Sequence, residues 1–178
     1  ILVCLVGSEM CIRDSDQLAD PISIEEDVHC ILDDIASAAE AASFQASTKL
    51  TDHLVACGEL MSTHILAQII RERGTPAVRF DIREVMRTNG DFGKAEPQLE
   101  DISALAKEKL IPLCQQQVVV TQGFIGADSE GNTTTLGRGG SDYSAALIAE
   151  SVQAMGLEIW TDVPGIYTLS LIHISEPT

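Results

Sequence analysis

Three glycines bracket an arginine directly ahead of a helix-forming run in Thr133-Thr134-Thr135-Leu136-Gly137-Arg138-Gly139-Gly140-Ser141-Asp142. Glycine lets backbone N–H groups approach an anion closely. A helix N-terminus that follows adds its own unpaired donors and the positive end of its dipole. Arg138 suits a bidentate grip on a carboxylate or phosphate. Asp142, in the first helical turn, suits orienting a lysine or a metal beside a transferring phosphoryl group. A flexible turn with Ser141 as a plain N-cap would use the same residues. The segment is not a dinucleotide fingerprint, because no G-x-G-x-x-G follows a strand. It is not a Walker A loop either, because Gly-Lys-Ser/Thr does not occur.

Two further segments have chemical potential. In Ala56-Cys57-Gly58-Glu59-Leu60-Met61-Ser62-Thr63, a helix-interior glycine costs about 1 kcal/mol against alanine and suggests close approach of a backbone or ligand. Glu59 beside it can accept hydrogen bonds from a substrate ammonium group, or can be an ordinary exposed glutamate. In Ile159-Trp160-Thr161-Asp162-Val163-Pro164-Gly165-Ile166-Tyr167, an apolar run ends in Thr-Asp and turns through Pro-Gly. Ligands of α/β folds settle at the carboxyl ends of strands, so Thr161 and Asp162 stand where a nucleotide can be held, with Tyr167 placed to pack on its base. A type II turn with Asp162 as turn former is the alternative.

The elements that must position these residues follow from periodicity. Ser23 and Glu26 have capping-box spacing. Ile24, Val28, Ile31, Leu32, Ile35 and Ala39 then predict a helix to about Ala42. A second helix runs from about Thr51 to Arg73 and stops at Gly74. Ala77 to Asp81 reads as a strand. Pro97 opens a third helix with Ile102, Leu105, Ala106, Leu110 and Leu113 on one face, which Pro112 should end or kink. The unalternating run Val118 to Thr121 predicts a strand covered on both faces. Asp128 to Asn132 sits as a hairpin turn between Phe124-Ile125 and Thr133 to Thr135. Ser141 to Met155 reads as a helix ended by Gly156, and Leu157 to Thr161 as a strand. Alternating helices and strands give an α/β class, three-layered around a largely parallel sheet.

Composition narrows the options. The 178 residues carry 27 acidic and 11 basic side chains, a formal net charge of −16, which repels phosphate backbones and argues against nucleic-acid binding. Apolar content of 45 % with only 4 % aromatics fits a globular domain better than a disordered tail. The five cysteines form no C-x-x-C pair, and Cys30, Cys57 and Cys114 read as reduced and structural in a cytoplasmic setting. The four histidines are scattered, so no zinc-finger spacing emerges. No apolar run approaches the length of a membrane span, so no membrane partner is expected.

Taken in order, the strings CGELMST, FDIREVMRTNGDFGKAEP, VVVTQGFIGADSEGNTTTLGRGGSDYSAAL and IWTDVPGIYT resemble the amino-acid kinase family, and within it the monofunctional, lysine-inhibited aspartate kinases. The resemblance covers about Asp16 to Thr168. It implies a three-layer α/β/α sandwich of the amino-acid kinase type, incomplete at both ends. It also implies use of ATP with Mg²⁺ to phosphorylate the side-chain carboxylate of L-aspartate, and a parent enzyme that is a homodimer or larger. Carried over position by position, Glu59 contacts the aspartate ammonium group, and Arg138 clamps a substrate carboxylate. Gly139, Gly140 and Ser141 form the loop beside substrate and γ-phosphate. Asp142 organises the catalytic lysine, while Thr161, Asp162 and Tyr167 bind nucleotide.

The departures are equally specific. The family's opening Lys-Phe-Gly-Gly-Thr-Ser loop, which supplies the catalytic lysine, has no counterpart in these residues, and neither do its later nucleotide contacts and regulatory domains. The strings GSEMCIRDS and LSLIHISEPT resemble translated sequencing-adapter read-through, so residues 1–15 and 169–178 are expected to be assembly scars. On that expectation, residues 16–168 are a partial catalytic domain that is inactive by itself. A non-catalytic nucleotide-binding or interaction domain, or an amino-acid kinase with another acceptor such as glutamate or carbamate, is the competing expectation.

Overall fold

Two long helices come first among the described residues. The computed structural model describes Leu18, residues 22–44 and residues 47–160. Thr161, Asp162 and Tyr167 lie outside the described residues, as do 1–15 and 169–178. Helix α1 is Ile22–Phe44 and α2 is Thr48–Glu72. Ser23 therefore lies inside the first turn of α1 rather than capping it. The N-cap of α2 is Ser47, whose Oγ accepts a hydrogen bond from Leu50 N–H at 3.2 Å, earlier than the periodicity indicated. At the far end Gly74 takes φ +84°, the left-handed conformation that ends a helix at little cost to glycine. Val28 of α1 packs with Met61 and Ile65 of α2. Asp34–His53 and Asp27–His64, at 2.9 and 3.2 Å, join the two helices at their edge.

By length and composition alone α2 would suffice to cross a bilayer, contrary to the reading of the apolar runs. Its buried side chains instead include Asp52 and Gln68, and its inner residues Ala56 and Leu60 enter the same core as Phe80 and Ile82.

Strand β1 (Ala77–Phe80) pairs in parallel with β2 (Val118–Thr121), Ala77 opposite Val118 and Phe80 opposite Thr121. Parallel neighbours need a crossover. A 3₁₀ turn (Ile82–Glu84), a loop, and a helical segment supply it: α3 (Leu99–Leu105), a π turn (Ala106–Leu110) and α4 (Ile111–Cys114). Pro112 does not end this helix, which runs on to Cys114, but it follows a disturbed turn. Its missing N–H and ring are incompatible with a bond to the carbonyl four residues back. The backbone widens just before it, and Ile111 N–H reaches Ala106 O, five residues back.

Strand β2 is covered unevenly along its length: Val118, at its start, is 43 % exposed, whereas Val120 on the same face is buried and Val119 and Thr121 on the other face are half-buried. The predicted hairpin forms as β3 (Ile125–Ala127) antiparallel to β4 (Thr133–Thr135). Its turn is closed by Asp128, whose Oδ1 accepts from Glu130 N–H at 2.9 Å and Asn132 N–H at 2.8 Å. Helix α5 (Gly140–Ser151) ends short of Gly156. Gln153, at φ +54°, makes the left-handed exit instead, and Ala154 N–H returns to Ala149 O at 2.8 Å. The described part of the predicted strand from Leu157 forms no regular element, and Trp160 is exposed. A strand forms where another strand satisfies its backbone groups, and no described strand lies beside 157–160. The class is α/β, with one parallel pair and one hairpin among the described residues.

Glycine fixes one close approach inside this frame. A Cβ on Gly126 would lie 2.6 Å from Met86 O and 2.8 Å from Thr88 Cγ2. The carbonyl belongs to backbone that cannot rotate away, since Met86 O accepts Ala127 N–H at 2.9 Å. Gly126→Ala is expected to cost about 1–3 kcal/mol by overpacking, seen as a lower urea midpoint. An unchanged midpoint would mean that β3 shifts without penalty.

Candidate functional site

The carboxyl ends of β1 and β2 lie side by side because the strands are parallel and in register. The chain leaving β2 runs Gln122-Gly123-Phe124. Gln122 is 3 % exposed and fully employed: Ile82 N–H donates to its Oε1 at 2.9 Å, and its Nε2 donates to Thr63 Oγ1 at 2.7 Å. Thr63 Oγ1 in turn donates to the carbonyl of Glu59 at 3.0 Å. One buried amide therefore ties the helical turn bearing Glu59 to the ends of both parallel strands. No candidate motif of the sequence singles out Gln122. The available signal was a polar residue between a β-branched run and a glycine.

The other side of the loop meets α5. A Cβ on Gly123 would stand 3.2 Å from Ser141 Cβ and Oγ, and one on Gly140 would stand 2.8 Å from Phe124 Cβ. Phe124 adopts φ +48°, a conformation that costs roughly 1–2 kcal/mol in a non-glycine residue. Its N–H is held by Ser144 Oγ at 3.0 Å, and its carbonyl accepts Leu136 N–H at 2.8 Å. These contacts seat the first turn of α5 against the loop after β2.

Within 137–142 the backbone is shaped for an anion. Gly137 and Gly139 take φ +77° and +75° on either side of Arg138. Gly139 is the N-cap of α5 and has no side chain to satisfy the amides behind it. The backbone N–H groups of Ser141 and Asp142 are therefore without a partner among the described residues, at the positive end of a twelve-residue helix. Arg138, Ser141 and Asp142 are exposed, and among the described residues neither Arg138 nor Asp142 has an ion pair or a side-chain hydrogen bond. Glu59 is half-buried, with Oε2 accepting from Ser62 Oγ at 3.3 Å.

Other parts of the sequence motifs have structural roles. The three threonines of β4 are all buried and bonded. Thr133 Oγ1 accepts from Arg83 at 2.9 Å, Thr134 Oγ1 pairs with Thr88 Oγ1 at 2.7 Å, and Thr135 meets Asp52. Gly58 is exposed with nothing within 4 Å of its Cβ position, so no described residue presses on it.

Charges at the edge of the strand pair are coupled. Burial pushes the Asp81 carboxyl up, but hydrogen bonds from Arg83, at 2.6 and 2.9 Å, and its charge leave it below its ordinary range. His64 is held below its ordinary 6.5 by burial first and by the charge of Arg79 next, against the opposing pull of Asp27. The unfolded chain thus binds a proton at His64 more readily than the folded one. Stability is fully present above about pH 6.5 and falls as pH drops toward the folded value. Urea midpoints should decline between about pH 7 and pH 5, and His64→Gln should flatten that decline. A decline of equal slope in the variant would assign it to other groups.

With this geometry in view, comparison with known proteins is informative. A sequence profile described as "Amino acid kinase family" matches residues 13–170. Lysine-sensitive aspartokinase 3 of Escherichia coli is 52 % identical over 153 residues, which is 86 % of this chain and 34 % of that protein. The chloroplastic bifunctional aspartokinase/homoserine dehydrogenase 1 of Zea mays is 37 % identical over 133 residues, 74 % of this chain and 14 % of that one. The crystal structure of E. coli aspartokinase III in complex with aspartate and ADP superposes with a TM-score of 0.84 at 51 % identity, covering 86 % of this chain and 34 % of that one. The chain thus spans about a third of the length of its E. coli relative. With the profile running through all of the described residues, and the fold of a kinase of that type beneath it, the chain belongs to the amino acid kinase family.

Proposed function

We propose that this chain is the substrate-binding part of an aspartate kinase, which transfers the γ-phosphoryl group of ATP to the side-chain carboxylate of L-aspartate. The observation that carries this reading is Arg138, exposed and without an ion pair among the described residues, held between two left-handed glycines at the start of α5. Support comes from the E. coli relative, whose structure was solved with aspartate and ADP.

In this reading Arg138 grips the α-carboxylate of aspartate and Glu59 accepts hydrogen bonds from its ammonium group. Their opposite charges match the two ends of an amino acid and leave the side-chain carboxylate to react. That carboxylate is already ionised near neutral pH, so its oxygen attacks the γ-phosphorus without a general base. ADP leaves with the electron pair of the broken P–O bond, giving 4-phospho-L-aspartate. The main obstacle is the meeting of two anions. In the Gly139-Gly140-Ser141 loop the Gly140 N–H is taken by Gly137 O, so the Ser141 and Asp142 amides, with the dipole of α5, would hold phosphoryl oxygens. Asp142, a carboxylate without a side-chain partner among the described residues, suits a cationic group or a hard metal ion. Mg²⁺, when bound with ATP, neutralises phosphate charge. Thr161, Asp162 and Tyr167 are assigned to the nucleotide.

The test is to graft residues 16–168 in place of the matching segment of the E. coli relative, and to assay it with Mg-ATP and L-aspartate, trapping the acyl phosphate as a hydroxamate. Turnover within about tenfold of the recipient, a loss under about 1.4 kcal/mol, is expected. A folded graft that phosphorylates L-glutamate or carbamate better than aspartate would reassign the acceptor, and one that phosphorylates none of them would end the proposal.

A further inference from the structure

The face of α2 turned toward α1 carries a set of side chains that phosphoryl transfer does not use. His53 and Cys57 are four residues apart and so stack on one side of the helix, and Asp34 reaches them from α1. The three ligand-bearing atoms all lie within 4.8 Å of one another, with His53 Nε2 2.9 Å from Asp34 Oδ2. A tetrahedral ion with bonds of about 2.0–2.3 Å places its ligands roughly 3.3–3.8 Å apart, so small side-chain rotations bring the set to that spacing. We infer that Asp34, His53 and Cys57 form a three-ligand binding site for a divalent cation of the zinc class.

The donor set selects the ion. One sulfur, one imidazole nitrogen and one carboxylate oxygen form a borderline-soft combination, which suits Zn²⁺ or Co²⁺ and is poor for Mg²⁺ or Ca²⁺. Charge also balances. A thiolate and a carboxylate neutralise a dication, and the nearby Arg83 is already paired with Asp81 at 2.6 Å. Access comes from the side of His53, which lines a cavity of about 440 Å³ together with Ser47, Lys49, Arg83, Asn132 and Thr133. Cys57, fully buried, closes the site from within the core. Burial of the sulfur argues for a resident ion rather than a loosely exchanging surface one. A bound ion would fasten α1 to the helix that carries Glu59. Cys57 and Glu59 stand about 200° apart around that helix, so the cation would face away from the Glu59 carboxylate.

The experiment uses the full chain with Cys4, Cys11, Cys30 and Cys114 changed to serine, so that Cys57 is the remaining thiol. Titration with Co²⁺ should show one equivalent bound with a thiolate-to-cobalt charge-transfer band, and Zn²⁺ should displace it and raise Tm. Cys57→Ser should abolish the band. Asp34→Asn and His53→Gln should each weaken Co²⁺ binding by about 100-fold. Because Asp34 is more than half exposed, its variant should keep the parent's circular dichroism. A folded parent that binds Co²⁺ without the band would overturn the inference. So would Asp34→Asn and His53→Gln variants that bind as tightly as the parent. Either result would leave Asp34–His53 an ordinary interhelical ion pair.

Discussion

Arg138→Ala in the grafted enzyme is expected to lower kcat/KM for aspartate by roughly 30- to 1,000-fold, on the order of 2–4 kcal/mol, while KM for ATP changes by less than about threefold. The size follows from the chemistry of the contact. A guanidinium gives a carboxylate two parallel charge-assisted hydrogen bonds, and no neighbouring cation in the 137–142 loop replaces it. The selectivity follows from the assigned roles: Arg138 is read as gripping the α-carboxylate of the amino acid, whereas Thr161, Asp162 and Tyr167 are assigned to the nucleotide. Stability should be unaffected, because the side chain is exposed and makes no ion pair among the described residues. Arg138→Lys separates charge from shape. A lysine keeps the charge and loses the fork, so it should recover only part of the loss. Steady-state assays varying aspartate and ATP in turn decide the matter, and equal losses for both substrates would remove Arg138 from the amino-acid pocket.

The largest effect on stability is expected at Asp52. Its carboxylate is 3 % exposed and accepts three hydrogen bonds, from Gly93 N–H at 2.8 Å, Thr135 N–H at 2.9 Å and Thr135 Oγ at 2.9 Å. It thereby pins α2 to β4 and to the loop before α3, the frame that sets the 137–142 loop. Asp52→Ala would strand the buried Thr135 amide, release the more exposed Gly93 amide and leave a void. A loss of about 3–5 kcal/mol is expected, a large part of the 5–15 kcal/mol typical of a domain. Asp52→Asn keeps one acceptor oxygen but turns donors toward donors, so it should fall between the two. Urea denaturation followed by circular dichroism measures this. A midpoint for Asp52→Ala within error of the parent would show that water takes over all three bonds.

Sequence patterns anticipated elements whose signal is local. The apolar stripe from Val28 to Ile35 and the turn formers Asp128 to Asn132 each encode a short-range preference, and α1 and the hairpin appear where expected. The glycine-arginine loop ahead of α5 was legible for the same reason, since left-handed glycines and a helix start are local features. Long-range partnerships were not. Asp52 sits on the apolar stripe of α2, where a carboxylate looks out of place until Thr135, 83 residues later, arrives beside it. Gln122 likewise has no meaning until Ile82 and Thr63 converge on it. The exit of α5 at Gln153 was hidden because glycine at 156 offered a more familiar stop. The expected strand from Leu157 had the composition of a strand without a described neighbour to pair with.

The widened turn at Ala106–Leu110 has a consequence for how this segment tolerates changes in length. Buried residues spaced four apart drift about 40° per step around a regular α-helix, so Ile102, Ala106 and Leu110 would spiral off the core over two turns. A turn of larger circumference takes that drift back, and all three stay inward. The extra residue behaves as slack taken up in a rope: it resets the phase of everything after it. Removing one residue between Ala106 and Leu110 would therefore do more than shorten the helix. It would rotate Leu113 and the approach to β2 by most of a right angle, so insertions and deletions should be accepted at the ends of this crossover and resisted in its middle.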